Sequence, residues 1–226
     1  MTQAAEITPA KPVRARAARY NHYGQKIGSK GERTRQTLID VTVDLLETHG
    51  LRDVSVADVA RVAKTSPATF YVYFRGVPEV VLAALANAPL TSPEIDDLLA
   101  RDWQQPGSRP FARALVDAYC ELWNRNRTIF RVRNMAAEEG DERFYRARME
   151  AALPIMTGLT PLIVKAQAAG LVPAELKPRS CGGTILMMLE RLAAVGPMAR
   201  EDDDISYDAL RAAAAHTVAM MLGARD

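Results

Sequence analysis

The chain has little of what catalysis, export or a membrane would call for. Its 226 residues include two cysteines, Cys120 and Cys181, and three histidines, His22, His49 and His216. Two cysteines without a CxxC spacing build neither a disulfide framework nor a zinc site, and suit a reducing compartment. Each lies in an apolar helical pattern, the usual setting of an inert buried thiol. The histidines share no metal-ligand spacing, so no metal is implied. No phosphate-loop glycine motif and no GxSxG elbow is present, so no cofactor is implied either. The adjacent acids Asp96-Asp97 and Glu138-Glu139 fall where solvent exposure is the default. Enzymatic activity is therefore not expected. No run of about 18 uncharged apolar residues occurs, and no apolar signal core opens the chain, which leads to the expectation of a cytoplasmic protein. Convincing strand alternation is missing too, so the fold class expected is all-α.

Large net charge is also lacking, at +2, but the charge is uneven. Residues 1–76 carry 12 Lys and Arg against 7 Asp and Glu, and residues 77–226 carry 17 against 20. A basic N-terminal third ahead of a mildly acidic remainder suits a nucleic-acid-facing module on a neutral body. Residues 1–30 show no apolar period and read as a basic arm, with Lys11, Arg14, Arg16, Arg19, Lys26 and Lys30 opposed only by Glu6. Two readings fit the arm: contact with DNA phosphates or the minor groove, or a solvated tail. Tyr20, His22 and Tyr23 suggest one short ordered piece within it.

What is present is a helix pattern with strong punctuation. Leu38, Val41, Thr42, Leu45 and Leu46 form one stripe of an amphipathic helix ended by Gly50 in a left-handed cap. Ser55 and Asp58 form a capping box, with Val54 and Val59 as the hydrophobic staple. Ser66 caps a second short helix with Pro67 at its first position. Phe70 and Phe74, four apart, point at one core. Two capped helices joined by a turn over Ala63–Ser66 make a helix-turn-helix, whose second helix is the one to enter a major groove.

These residues, with Thr34-Arg35-Gln36-Thr37-Leu38-Ile39-Asp40 before them, resemble the DNA-binding domain of the tetracycline-repressor (TetR) family across roughly residues 33–85. The resemblance implies a helix-turn-helix head (31–76) and a helical ligand-binding and dimerisation body (77–226). It implies a repressor released from a palindromic operator by a small, largely apolar effector. The runner-up is a DNA-binding or architectural protein without an effector. Two positions depart from the family's habit: Lys64 stands where the turn usually has glycine, and Val77 where the fourth helix usually opens with lysine, a phosphate contact that Arg75 replaces.

Candidate DNA-binding residues are Lys64, Thr65, Pro67, Ala68, Thr69, Tyr71, Val72, Tyr73 and Arg75. The reading helix holds no Arg, Asn or Gln for bidentate base contacts. Ala68 and Val72 are expected on thymine methyls, Thr69, Tyr71 and Tyr73 on phosphates, and Lys64 on a base or phosphate. Beyond it, helices are expected at about 93–104, 109–125, 127–138, 141–169, 178–195 and 205–222, the fourth of these kinked at Pro154 and Pro161. Phe111, Tyr119, Trp123, Phe130, Met135, Met149, Leu153, Met156 and Met187 are candidate ligand-binding residues, because methionine and aromatic side chains between helices line adaptable cavities. An ordinary core would use the same residues. Seven arginines from Arg125 to Arg148 read as a mutually paired, solvated face, the other reading being guanidinium groups that hold a ligand's carboxylate or phosphate at the pocket mouth. The apolar sides of the last two helices, Gly182 to Ala193 and Leu210 to Leu222, read as a homodimer bundle or as the closure of the chain's own core.

If the arm touches phosphates, deleting residues 1–26 should lower the slope of log affinity against log salt by about 0.9 per lost contact on duplex DNA. An unchanged slope in a salt titration identifies a solvated tail.

Overall fold

The computed structural model describes residues 24–199 and 205–226. Lys11, Arg14, Arg16, Arg19, Tyr20, His22 and Tyr23 of the arm, and the acidic run from Glu201 to Asp204, lie outside the described residues. Ten α-helices and no strand occur among the described residues. They fall into two compact units, one ending at Asn87 and the other beginning at Ala88. The fourth helix, which the sequence analysis gave to the body, belongs with the first unit.

The first unit holds α1 (Ser29–Thr48), α2 (Val56–Val62), α3 (Pro67–Tyr73) and α4 (Val77–Asn87). Leu38, Ile39, Thr42 and Leu46 of α1 face inward, and the buried Thr42 hydroxyl donates a hydrogen bond to the Leu38 carbonyl at 2.7 Å. A buried hydroxyl without that acceptor would be costly. Against this stripe pack Val80, Val81, Ala84 and Leu85 of α4, with Phe70 and Phe74 buried in the same unit. Gly50 is not a left-handed cap, contrary to expectation: α1 closes through the His49 N–H on the Leu45 carbonyl. A Cβ there would stand 2.8 Å from the exposed Asp53 carboxylate that accepts the Gly50 N–H, so that side chain would have to shift.

The second unit holds α5 (Pro93–Ala100), α6 (Pro110–Arg125), α7 (Arg127–Glu138), α8 (Glu142–Ala168), α9 (Pro178–Val195) and α10 (Tyr207–Leu222), with a 3-10 turn at Gly196–Met198. Helix α5 stops at Ala100, four residues short of the expected 104, because Trp103 turns inward. The fully buried indole donates to the Leu98 carbonyl at 2.8 Å, and the buried Ser108 hydroxyl donates to the Trp103 carbonyl at 2.6 Å. The C-terminus is tied to this loop by the Arg109 N–H on the Arg225 carbonyl and by Gln104 on the Leu222 carbonyl.

Helix α8 runs through Pro154 and Pro161 as one 27-residue element. Each proline removes one intrahelical donor, so this helix is the least rigid wall of the unit. Helix α10 lies on α6, where Asp117 and Asp208 both pair with Arg113 and Arg211. These groups are partly exposed, so the clamp sets register more than it stabilises.

Much of the two stripes offered for a dimer bundle is packed inside the chain, while Ala213 and Thr217 stay exposed. Gly182, Ile185, Leu186, Leu189 and Leu192 of α9 are buried, as are Ala214, Val218 and Leu222 of α10. A Cβ on Gly182 would stand 3.5 Å from Leu159, an ordinary contact, so the face packs on α8 without requiring a glycine there.

Lys64 closes the turn before α3 at φ 54, the left-handed region that a side chain resists. Lys64→Gly should therefore stabilise the first unit by about 1 kcal/mol, read as a raised urea midpoint of the chain by circular dichroism. A lowered midpoint would mean the lysine side chain holds the turn.

Candidate DNA-reading helix and effector cavity

Local chemistry sets the pose of α3. In the capping box, Ser55 Oγ accepts the Asp58 N–H at 3.2 Å, and the Asp58 carboxylate accepts the Ser55 N–H at 3.4 Å and its hydroxyl at 2.6 Å. The Ser55 hydroxyl is the main cause holding the Asp58 carboxyl below the usual carboxylate range, with Arg61 second. Val54 and Val59 are both buried, as a staple requires. One turn on, Ser66 Oγ accepts the Thr69 N–H at 3.1 Å with Pro67 behind it. Phe70 and Phe74 pack 5.9 Å apart in the interior, with the Arg35 guanidinium 5.0 Å from the Phe74 ring.

With Phe70 and Phe74 turned inward, the other face of α3 is left outward. Pro67, Ala68 and Tyr71 are exposed, as are Lys64 and Arg75 on either side. Thr65, Thr69 and Val72 are half-buried. Tyr73 is also half-buried, and its hydroxyl lies beside Gly31 at the start of α1. Tyr73 thus braces α1 as well as flanking the reading face. The Arg75 N–H is held at 2.6 Å by Glu79, which fixes the corner between α3 and α4. The outward face carries a lysine, an arginine, hydroxyls and apolar groups, and no carboxylate or amide.

The second unit contains a cavity of its own. The empty space between its walls is about 370 Å³, part of it open to solvent, and the room for the centre of a water molecule is about 20 Å³. That is one or two waters, so a drug-sized occupant needs the walls to part. Tyr119, Leu122 and Trp123 of α6, Phe130 and Arg133 of α7, Ala151, Ala152 and Ile155 of α8, and Leu186 and Glu190 of α9 form the walls. Pro89 and Leu90, joined to the end of α4 through Ala88 alone, complete them.

Of the nine candidate ligand-binding residues, Tyr119, Trp123 and Phe130 meet at this cavity. Trp123 and Phe130 pack at 5.4 Å. The other six lie elsewhere. Phe111 stacks edge-on against Trp103 at 5.9 Å, with Arg101 over its ring. Met156 lies against Gly182. Met135, Met149, Leu153 and Met187 are exposed, because each falls on the outward phase of its helix.

The arginine cluster divides. Arg125, Arg143 and Arg146 are exposed and paired with nearby acids, as expected. Arg127 caps α9 through the Ala193 and Ala194 carbonyls. Arg133 is different: it is 3% exposed and bonded at 3.0 Å to Glu190, whose second oxygen takes Arg148 at 2.8 Å. Burial draws the Arg133 guanidinium below the ordinary arginine range, and Glu190 draws it back up. Burial raises the Tyr119 phenol above its usual value, with Glu190 adding to it, so it stays a donor. The sequence signal for Arg133 was its phase, since Ile129, Phe130 and Ala136 share its side of the helix.

A capped helix-turn-helix carried by four helices, and a separate six-helix body with its own cavity, define a DNA-binding regulator of transcription rather than an enzyme. Residues 38–84 match the family described as bacterial regulatory proteins, tetR family, and residues 95–225 match the tetracyclin repressor-like C-terminal domain. The chain belongs to the tetracycline-repressor family of transcriptional regulators, whose members bind DNA and act as dimers. The transcriptional regulator SrpR of Pseudomonas putida is 28% identical over 106 residues, 41% of this chain and 50% of that protein, so the match spans half of that relative's length. Among solved structures, the fatty acid degradation regulator FadR of Bacillus halodurans is similar at TM-score 0.58 and 18% identity, covering 88% of this chain and 97% of that one. A transcriptional regulator of Pseudomonas aeruginosa reaches TM-score 0.62 at 18% identity, covering 83% and 89%. The SmeT–triclosan complex reaches 0.58 at 14%, covering 82% and 90%. At these identities the structural likeness speaks to fold alone. Among the described residues no single helix is long and apolar enough to cross a membrane.

Tyr71, 47% exposed on the reading helix, has a hydroxyl suited to a phosphate and no geometry for a bidentate base contact. Tyr71→Phe should weaken binding to all duplexes alike, by roughly 1 kcal/mol, with sequence preference unchanged in a binding-site selection. A shift in the preferred bases would reassign Tyr71 to base reading.

Proposed function

We propose that this regulator is a cytoplasmic repressor released from a near-palindromic operator by a small, largely apolar effector bound in the body. The observation that carries the reading is the make-up of the cavity wall. Pro89 and Leu90 line the cavity and are joined to the end of α4 through Ala88 alone. A molecule that parts the walls displaces the segment on which α4, and through α1 the reading helix, depends. Ala151, Ala152 and Ile155 flank Pro154, where α8 has lost a backbone hydrogen bond and bends most readily. The narrow cavity and an opened one are the two packings a switch requires, with the effector preferring the second. A neighbour of the same fold is a complex with triclosan, which agrees with small-molecule control. An architectural protein without an effector has no use for such a wall.

The dimer forms through the outward sides of the two C-terminal helices, where Thr184, Met187, Ala213, Thr217 and Met220 are exposed. Two heads in such a pair read half-sites about one helical turn apart or a multiple of it. Ala213→Glu should give monomers in sedimentation, because a charge cannot be buried unpaired at the seam. A dimeric mutant would move the interface to the outward side of α8, at Leu153 and Val164.

For the switch, an operator is selected from random duplex DNA and compounds are screened for releasing the parent protein from it. Effector coupling of about 1–3 kcal/mol corresponds to some 5- to 150-fold in operator affinity. Ala152→Trp fills the cavity and should abolish the response to such a compound. Release at the parent's concentrations would place the effector elsewhere.

A further inference from the structure

We infer that the effector is an organic monoanion, a carboxylate on an apolar body, whose head group is taken by Arg133. This rests on the reading of the cavity as the effector site. The apolar part follows from Leu90, Leu122, Phe130, Ala152, Ile155 and Leu186 on the wall. The head group follows from counting donors and acceptors among the polar wall groups. Glu190 is the one carboxylate on the wall, and both of its oxygens are occupied, one by Arg133 at 3.0 Å and the other by Arg148 at 2.8 Å. Its charge is already shared between two guanidinium groups, which leaves little of it for a cationic ligand. The remaining polar side-chain groups can all donate, and among them only the Tyr119 hydroxyl can also accept. The Trp123 indole N–H is buried and has no hydrogen-bond partner among the described residues. The Tyr119 phenol is held protonated by burial. Arg133 uses Nη2 on Glu190 and Nε on Asn134 at 2.9 Å, and its Nη1 bonds no described residue.

Charge points the same way. Arg133, Glu190 and Arg148 carry one net positive charge, and the Glu138 carboxylate near Arg148 is exposed and 3.8 Å away. The Arg133 guanidinium is held 4.7 Å from the Phe130 ring and 5.9 Å from the Trp123 ring, which blunts the excess without neutralising it. Two guanidinium groups that share the Glu190 carboxylate, with Glu138 reaching only the exposed edge of Arg148, favour an anion over a cation. A carboxylate supplies both the charge and the acceptors that Nη1 and the indole N–H lack, through charge-assisted hydrogen bonds.

Isothermal titration of the full chain at pH 7.5 with octanoate, 1-octanol and octylamine isolates the head group at constant apolar length. Water solvates octanoate better than octanol, so without a receptor cation octanol binds more tightly. We expect octanoate to bind about 10- to 100-fold more tightly than octanol, with octylamine weakest, as a charge-assisted bond predicts. Arg133→Met leaves Glu190 paired with Arg148, and should bring the octanoate-to-octanol ratio to 1 or below. Arg133→Lys should restore part of it. Being a ratio within one protein, this readout is insensitive to a uniform loss of folded material. If octanol binds as well as octanoate and both are lost in Ala152→Trp, the cavity is the effector site and the anion assignment is overturned. A preference for octylamine overturns the assignment too. If none of the three binds, the anion assignment and the cavity reading fall together.

Discussion

Glu190 holds three helices at one point. Its two oxygens bind Arg133 of α7 and Arg148 of α8 while it rides on α9, beside the Trp123–Phe130 pair. Buried ions are costly to desolvate, and a triad of this kind contributes little net stability compared with an apolar core of equal volume. What it supplies is position, since carboxylate and guanidinium groups bond only at defined distances and angles. Remove Glu190 and two arginines are left facing apolar and aromatic walls. The cavity stays narrow because its polar end is pinned in this way. Its α8 side, at Pro154, lacks one backbone hydrogen bond and is held less firmly.

The two units solve different problems with different chemistry. The head is specified locally, through caps, a staple and a pair of phenylalanines four residues apart. These features make the turn and aim α3 with contacts inside a short stretch of chain. Distant residues enter through the packing of α4 on α1, and through Tyr73 beside Gly31 and Arg35 over Phe74. The body is held by long-range contacts. Trp103 and Ser108 knit the loop before α6, the C-terminal residues are hydrogen-bonded to that loop, and the arginine–aspartate clamp sets α10 on α6. The outward face of α3 presents few formal charges and no amide, so it offers no group for a bidentate hydrogen bond to a base.

The helix boundaries of the body were legible because breaks such as Gly140 and Gly170 to Pro173 are written in residues that interrupt helices. The end of α5 was not, since a tryptophan turning into the core overrides local propensity, and nothing in the Arg101–Gln104 stretch marks that turn. Gly50 looked like a cap, yet α1 closes through the His49 N–H instead. Of the nine candidate residues, the three that meet at the cavity are the aromatic ones on α6 and α7. The methionines missed because composition reveals what a side chain suits, while helical phase and neighbours decide which way it faces. Alanine and proline at the wall, Ala151, Ala152 and Pro89, leave no signal, because a cavity is made as much by what is small as by what is present.

Sequence alone determined the family, the helix-turn-helix, its caps and the inward pair Phe70 and Phe74, since those depend on contacts within four residues. Tertiary structure decided which arginine is buried and which faces solvent. Arg133 and Arg131 are two residues apart in one helix, yet one is 3% exposed and ion-paired with Glu190 while the other is exposed. It also decided that much of the small-residue sides of α9 and α10 closes the chain's own core. A stripe of Gly, Ala and Leu fits any close neighbour, and only the packed chain supplies one.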